Sequence, residues 1–132
     1  IESLTVAQTN DPSLSRMTIV SSGNDRVIEQ IVKQLNKLIE VVKVSDLTSR
    51  DHIERDLMLV KICPTKKDNF DLKQLVDVFS CKVVDVTDKT YTIEISGKTK
   101  KLNAFLDAFD PASIIEVSRT GVTGISRGKK LI

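Results

Sequence analysis

Two apolar periods take turns along this chain, and the switches between them give the order of elements. Ser3 to Thr9 alternates loosely and is rich in Thr and Val, as a strand should be. Asn10-Asp11-Pro12-Ser13 is turn chemistry, because Asn and Asp bond back to nearby backbone and Pro fixes φ. Leu14 to Ser21 returns as a second strand. Gly23-Asn24-Asp25 breaks it and offers a helix N-cap. From Asp25 to Val41 the period lengthens: Val27, Ile28, Ile31, Val32, Leu35, Leu38, Ile39 and Val42 recur at spacings of three and four, one apolar stripe on a helix. Glu29 and Lys33 form an i,i+4 pair on its wet side. Val41 to Leu47 is expected to leave the helix as a strand, completing β-β-α-β.

Thr48-Ser49-Arg50-Asp51-His52 is a polar joint and the expected domain boundary. Beyond it the pattern predicts a strand over Ile53–Cys63, a turn and cap at Pro64-Thr65, and a helix over Lys66–Ser80. A strand over Lys82–Thr87, a tight turn at Asp88-Lys89 and a strand from Tyr91 to Ser96 follow. A helix over Lys98–Phe109 stops at Asp110-Pro111, and Ile114–Ser118 closes the series. Leu72, Leu75, Val76 and Phe79 on the first helix, and Leu102, Phe105, Leu106 and Phe109 on the second, share the i, i+3, i+4, i+7 spacing of helices lying on one sheet face. The order βαββαβ is the split-βαβ or ferredoxin-like arrangement. The domains expected are 1–48, 52–118 and a basic tail over 119–132.

Composition narrows the function classes. Aromatics make up only 4% of the 132 residues, so the core is aliphatic. A net charge of +2 is too mild to argue for nucleic acid, where a clustered basic face is expected. No apolar run approaches the roughly 18 residues that span a membrane. Cys63 and Cys81 belong to no C-x-x-C pair and read as small buried hydrophobes. His52, the only histidine, has no nucleophile or metal set beside it. Asp85 and Asp88 flank a turn and lack EF-hand spacing. The segment Arg119 to Lys130 is basic and glycine-bearing, but it lacks the phosphate-loop spacing and opens no helix, so a flexible terminus is expected.

Several blocks then resemble one family in the same order. They are Ile1-Glu2-Ser3-Leu4-Thr5-Val6, Leu14-Ser15-Arg16-Met17-Thr18, Lys33-Gln34-Leu35-Asn36-Lys37-Leu38-Ile39, Val42-Lys43-Val44, Glu54-Arg55-Asp56-Leu57, Lys82-Val83-Val84-Asp85-Val86 and Arg119-Thr120-Gly121. Together they resemble the small regulatory subunits of acetolactate synthase (acetohydroxyacid synthase). The resemblance implies an α+β chain: a partial ACT domain, itself ferredoxin-like, followed by a complete ferredoxin-like domain. Against the family's ACT domain, the first strand, the glycine-containing loop and the first helix have no counterpart here, and the N-terminal portion is expected to be poorly ordered, swapped with a neighbour or cut from a longer protein.

The resemblance further implies a non-catalytic subunit that dimerises through its ACT domain, binds valine or another branched-chain amino acid, activates the catalytic subunit and confers feedback inhibition. Thiamine diphosphate, magnesium and a flavin (FAD) would sit on that catalytic subunit and no cofactor on this chain. Ile1 matches a position bordering the effector pocket. Arg16 and Arg119 are candidates for the partner interface. The compartment implied is a bacterial cytoplasm, with a plastid as the alternative. Two competing readings are an RNA-binding ferredoxin-like module, for which Tyr91 is the only sheet aromatic, and a small enzyme on the same fold, for which no nucleophile–base pair is in view.

Overall fold

A computed structural model describes residues 1–38, 40–68 and 71–132. The chain divides into two units, Ile1–Glu54 with Val122–Ile132, and Arg55–Gly121.

The first unit opens with strands β1 (Ser3–Gln8) and β2 (Ser15–Val20), an antiparallel hairpin running from Ser3 opposite Val20 to Gln8 opposite Ser15. Its turn is held by Asp11, whose carboxylate accepts from the Ser13 hydroxyl at 2.7 Å and the Ser13 amide at 3.0 Å. Those two bonds hold the Asp11 carboxyl below the usual range. Facing residues share a side of the ladder, so Leu4, Val6, Met17 and Ile19 lie on one face, and Ser3, Thr5, Arg16, Thr18 and Val20 on the other. The more polar face is the better covered one. Leu4 and Val6 are each 52% exposed and Met17 51%, whereas Ser3, Thr5, Arg16 and Thr18 are half-buried.

Helix α1 (Asp25–Asn36) begins where the sequence placed its cap: the Asn24 side chain accepts from the Val27 amide at 3.0 Å. It ends before the expected Val41. The amides of Lys37 and Leu38 turn to the carbonyls of Gln34 and Leu35, a tighter last turn. The β-branched Val41 and Val42 that follow are weak helix formers. Ile39, assigned to the apolar stripe, lies outside the described residues. No residue of α1 is buried. The strand expected over 41–47 is not formed. A strand exists only through a neighbour's hydrogen bonds, and among the described residues β1 and β2 pair with each other alone. The segment closes in turns instead, with Thr48 N–H on the Asp46 carboxylate and Arg50 N–H on Leu47 O.

The second unit realises the expected βαββαβ order in β3 (His52–Ile62), α2 (Leu72–Phe79), β4 (Lys82–Val86), β5 (Tyr91–Gly97), α3 (Thr99–Asp107) and β6 (Ile114–Arg119). Strand β3 starts three residues before the unit boundary. The sheet order is β4-β5-β3-β6, every pairing antiparallel. Met58, Val60 and Ile62 of β3 and Ile93 and Ile95 of β5 are buried with Leu102 and Phe105 of α3 and with Phe109. Leu72, Leu75, Val76 and Phe79 of α2 pack against that cluster. Phe105 meets Phe79 and Phe109 edge-on, with centroids 5.2 and 5.1 Å apart. The opposite sheet face is polar: Lys82 lies across from Glu94, Asp85 across from Thr92, and Lys61 Nζ sits 3.3 Å from Glu116.

Helix α2 starts later than expected. Its cap is Asp71, which accepts from the Lys73 amide at 3.0 Å, and not Thr65. Asn69 and Phe70, assigned to this helix, lie outside the described residues. Thr65 to Asp68 forms a separate turn because the Asp68 carboxylate captures donors from three places. It takes the Thr65 amide at 2.8 Å, the Asp110 amide at 2.8 Å and the Ser113 hydroxyl at 2.6 Å. Burial pushes the Asp68 carboxyl up, but these donors outweigh it and hold it below the usual range.

The expected flexible tail is a further correction. Val122 and Gly124 are buried, and strand β7 (Thr123–Ser126) pairs with β3. The run Val122-Thr123-Gly124-Ile125-Ser126 alternates inward and outward, as a half-covered strand does.

Candidate functional site

The residues singled out from the sequence fall in different places. Ile1 stands at the open end of the hairpin, 86% exposed, beside Glu2, whose amide donates to Val20 O at 2.7 Å. Arg16 projects from the covered face of β2. Its Nη2 donates to the Gly124 carbonyl at 2.9 Å, and the Gly124 amide in turn donates to Thr18 Oγ1 at 3.4 Å. Among the described residues no carboxylate pairs with Arg16. Arg119 lies at the end of β6, where its Nη2 donates to Asn103 Oδ1 of α3 at 2.7 Å and its Nε lies 3.3 Å from Met58 Sδ. Ile1 and Arg16 belong to the first unit and Arg119 to the second.

Two hollows were not foreseen. One, of about 570 Å³, runs along α1 between Arg26, Val27, Gln30, Ile31, Gln34 and Leu35. It follows from an apolar stripe with no residue buried. The other, of about 530 Å³, lies at the start of α3 and is lined by Arg55, Lys98, Lys100 and Lys101 with Ser96, Gly97 and Ala104. Lys101 Nζ is committed to Ser96 O at 3.0 Å. Ile1 lines neither hollow.

His52 has Nδ1 2.9 Å from Arg50 O and Nε2 3.0 Å from Glu54 Oε2. The Arg50 carbonyl first, and then the Glu54 carboxylate, favour the protonated ring and raise its pKa above 6.5. Burial pushes the Cys81 thiol up, which keeps it protonated and unreactive. Among the described residues, no group of three His, Cys, Asp or Glu side chains could hold a metal ion, and no helix is long and apolar enough to cross a membrane. Tyr91 lies across from Ile62 and Val86 and packs against the core cluster. It is therefore not on the open sheet face where a base would stack.

The βαββαβ sheet and the hairpin-and-helix unit before it define a tandem α+β protein of ACT and ferredoxin-like type. Comparison with known proteins gives the family. Residues 55–128 match the model of the small subunit of acetolactate synthase, and residues 1–43 match the AHAS small subunit-like ACT domain. The isozyme 3 small subunit of Escherichia coli K12 is 48% identical over 133 aligned positions, covering 100% of this chain and 82% of that protein. The chloroplastic small subunit 2 of Arabidopsis thaliana is 40% identical over 98% of this chain and 27% of its own length. The crystal structure of the small subunit from Thermotoga maritima matches with a TM-score of 0.84 at 37% identity, over 97% of this chain and 80% of that one. The chain belongs to the acetolactate synthase small-subunit family.

Proposed function

We propose that this chain is the regulatory, non-catalytic subunit of an acetolactate synthase in branched-chain amino-acid biosynthesis. It binds the catalytic subunit, raises its activity, and makes it subject to feedback inhibition by valine. The carrying observation is that both units match this family in chain order, residues 1–43 to its ACT domain and 55–128 to its small-subunit model. In this reading thiamine diphosphate, magnesium and FAD reside on the catalytic subunit. The ACT-like unit forms the homodimer and Ile1 borders the effector pocket. Half-exposed Leu4, Val6 and Met17 offer an apolar surface for that assembly. Arg119 contributes to the partner face of the second unit.

The test is acetolactate formation by the matching catalytic subunit, with and without the full small subunit, across a valine titration. A rise in rate without valine and a fall with it is the expected result. No rise at any subunit concentration would overturn the reading.

A further inference from the structure

Strand β7 pairs with β3 and is also held by side chains of β2. Where a neighbouring strand would supply backbone partners, β2 supplies two side chains. Arg16 donates to the carbonyl of Gly124 at 2.9 Å, and Thr18 accepts from the amide of the same residue at 3.4 Å. One peptide position is thereby bracketed on both its polar groups. The site is built closely. A Cβ on Gly124 would lie 3.0 Å from Leu47 Cδ1, so a larger residue there would press on the Leu47 side chain, whereas Ile53 O at 3.8 Å and Thr18 Cγ2 at 3.9 Å are at ordinary contact distance. Among the described residues no carboxylate pairs with this half-buried guanidinium, and Nη2 donates to this carbonyl instead.

The far end of the same segment is tied as well. Thr120, within the second unit, donates its amide to Leu57 O at 3.0 Å and accepts from Leu57 N–H at 3.1 Å. Between the two ties stands Gly121 at φ +89°, a backbone conformation open to glycine and strained for other residues. The segment from Thr120 to Gly124 is thus a short strap with a glycine pivot, anchored to main chain at one end and to two side chains at the other. A backbone ladder releases several bonds together, whereas two side-chain bonds release without disturbing the β3 ladder. The hairpin that carries them is only two-stranded and half exposed on its apolar face.

We infer that Arg16 is a positioning residue that latches β7 to the first unit at Gly124, and that this latch carries the effector response along the strap to β6. The inference rests on the regulatory reading above and gives Arg16 a role inside the chain.

The test uses the full subunit reconstituted with its catalytic partner. Thr18→Val and Arg16→Ala each shift the valine concentration for half-inhibition upward, Arg16→Ala by about tenfold. Arg16→Lys, which keeps a cationic donor, recovers part of the shift. An unchanged valine midpoint in a folded Arg16→Ala subunit overturns the inference. So does a loss of activation in proportion to the loss of valine response, which would make Arg16 a partner contact. A second readout needs no catalytic subunit. Amide exchange over Val122–Ser126 slows on adding valine to the wild type and does not slow in Arg16→Ala. Equal exchange with and without valine in the wild type also overturns the latch. Failure of the wild type to raise acetolactate formation would instead count against the regulatory reading.

Discussion

The two units carry similar aliphatic stripes and close them to different degrees. In the second, Ile93, Ile95, Leu102 and Phe105 are at most 1% exposed. In the first, Leu4, Val6, Met17, Val27 and Leu38 all remain between 44% and 53% exposed. The difference lies in the number of layers, not in hydrophobicity. A four-stranded path of sheet with two helices on one face seals a core, whereas a two-stranded hairpin with one helix and the short strand β7 does not. The sealed unit is a scaffold. The open unit has apolar surface still to bury, which is the surface that the proposed function assigns to assembly.

The largest effect expected is in the scaffold. Phe105→Ala removes a ring that meets two others edge-on in a closed core and should cost about 3–5 kcal/mol in denaturant unfolding. A loss below about 1 kcal/mol would show that the core is not closed as described. Ser113→Ala comes next. Ser113 is fully buried, with its hydroxyl 2.6 Å from the Asp68 carboxylate, and its loss should cost about 1–3 kcal/mol. The same knot gives a pH signature. Asp68 is depressed in the folded state, so its contribution is present above the unfolded value and is lost as pH falls through the folded one. Acid unfolding should begin at higher pH in Ser113→Ala than in the wild type.

The smaller effects belong to exposed positions. Val6→Ala on the half-exposed hairpin should change the stability of the isolated subunit by only about 0.5 kcal/mol or less. A cost comparable with that of Phe105→Ala would erase the contrast between the units. His52 should titrate above 6.5 in an NMR titration, and Glu54→Gln should bring it down. Because its folded pKa is raised, the stabilisation it gives is full below 6.5 and fades as pH rises through the folded value.

Much of the second unit was legible because its apolar periods are complete. The stripe Leu102, Phe105, Phe109 and the alternation of Tyr91, Ile93 and Ile95 each find a partner inside the same unit. The first unit was less legible for the same physical reason. Val41 to Leu47 has strand composition, yet composition cannot provide the neighbour that a strand requires. Helix α2 was placed too early because Asp68 binds residues 42 and 45 positions away, a long-range preference that local capping rules do not register. The tail was taken for a flexible terminus because its glycines and lysines outweighed the alternation of Val122, Gly124 and Ser126, the one signal that pointed to β7. Arg16 is a partner-interface candidate from the sequence, and its contact with Gly124, which spans 108 positions, has no local signature.

The contrast between the units is tested most directly by native-state amide exchange on the full subunit without effector. Slow exchange through Met58–Ile62 and Ile93–Ile95, with fast exchange across Leu4–Ile19 and along α1, is the predicted pattern. Equally slow exchange across Leu4–Ile19 in a monomeric sample would contradict it, because the half-exposed hairpin would then be as well protected as the closed core of the second unit.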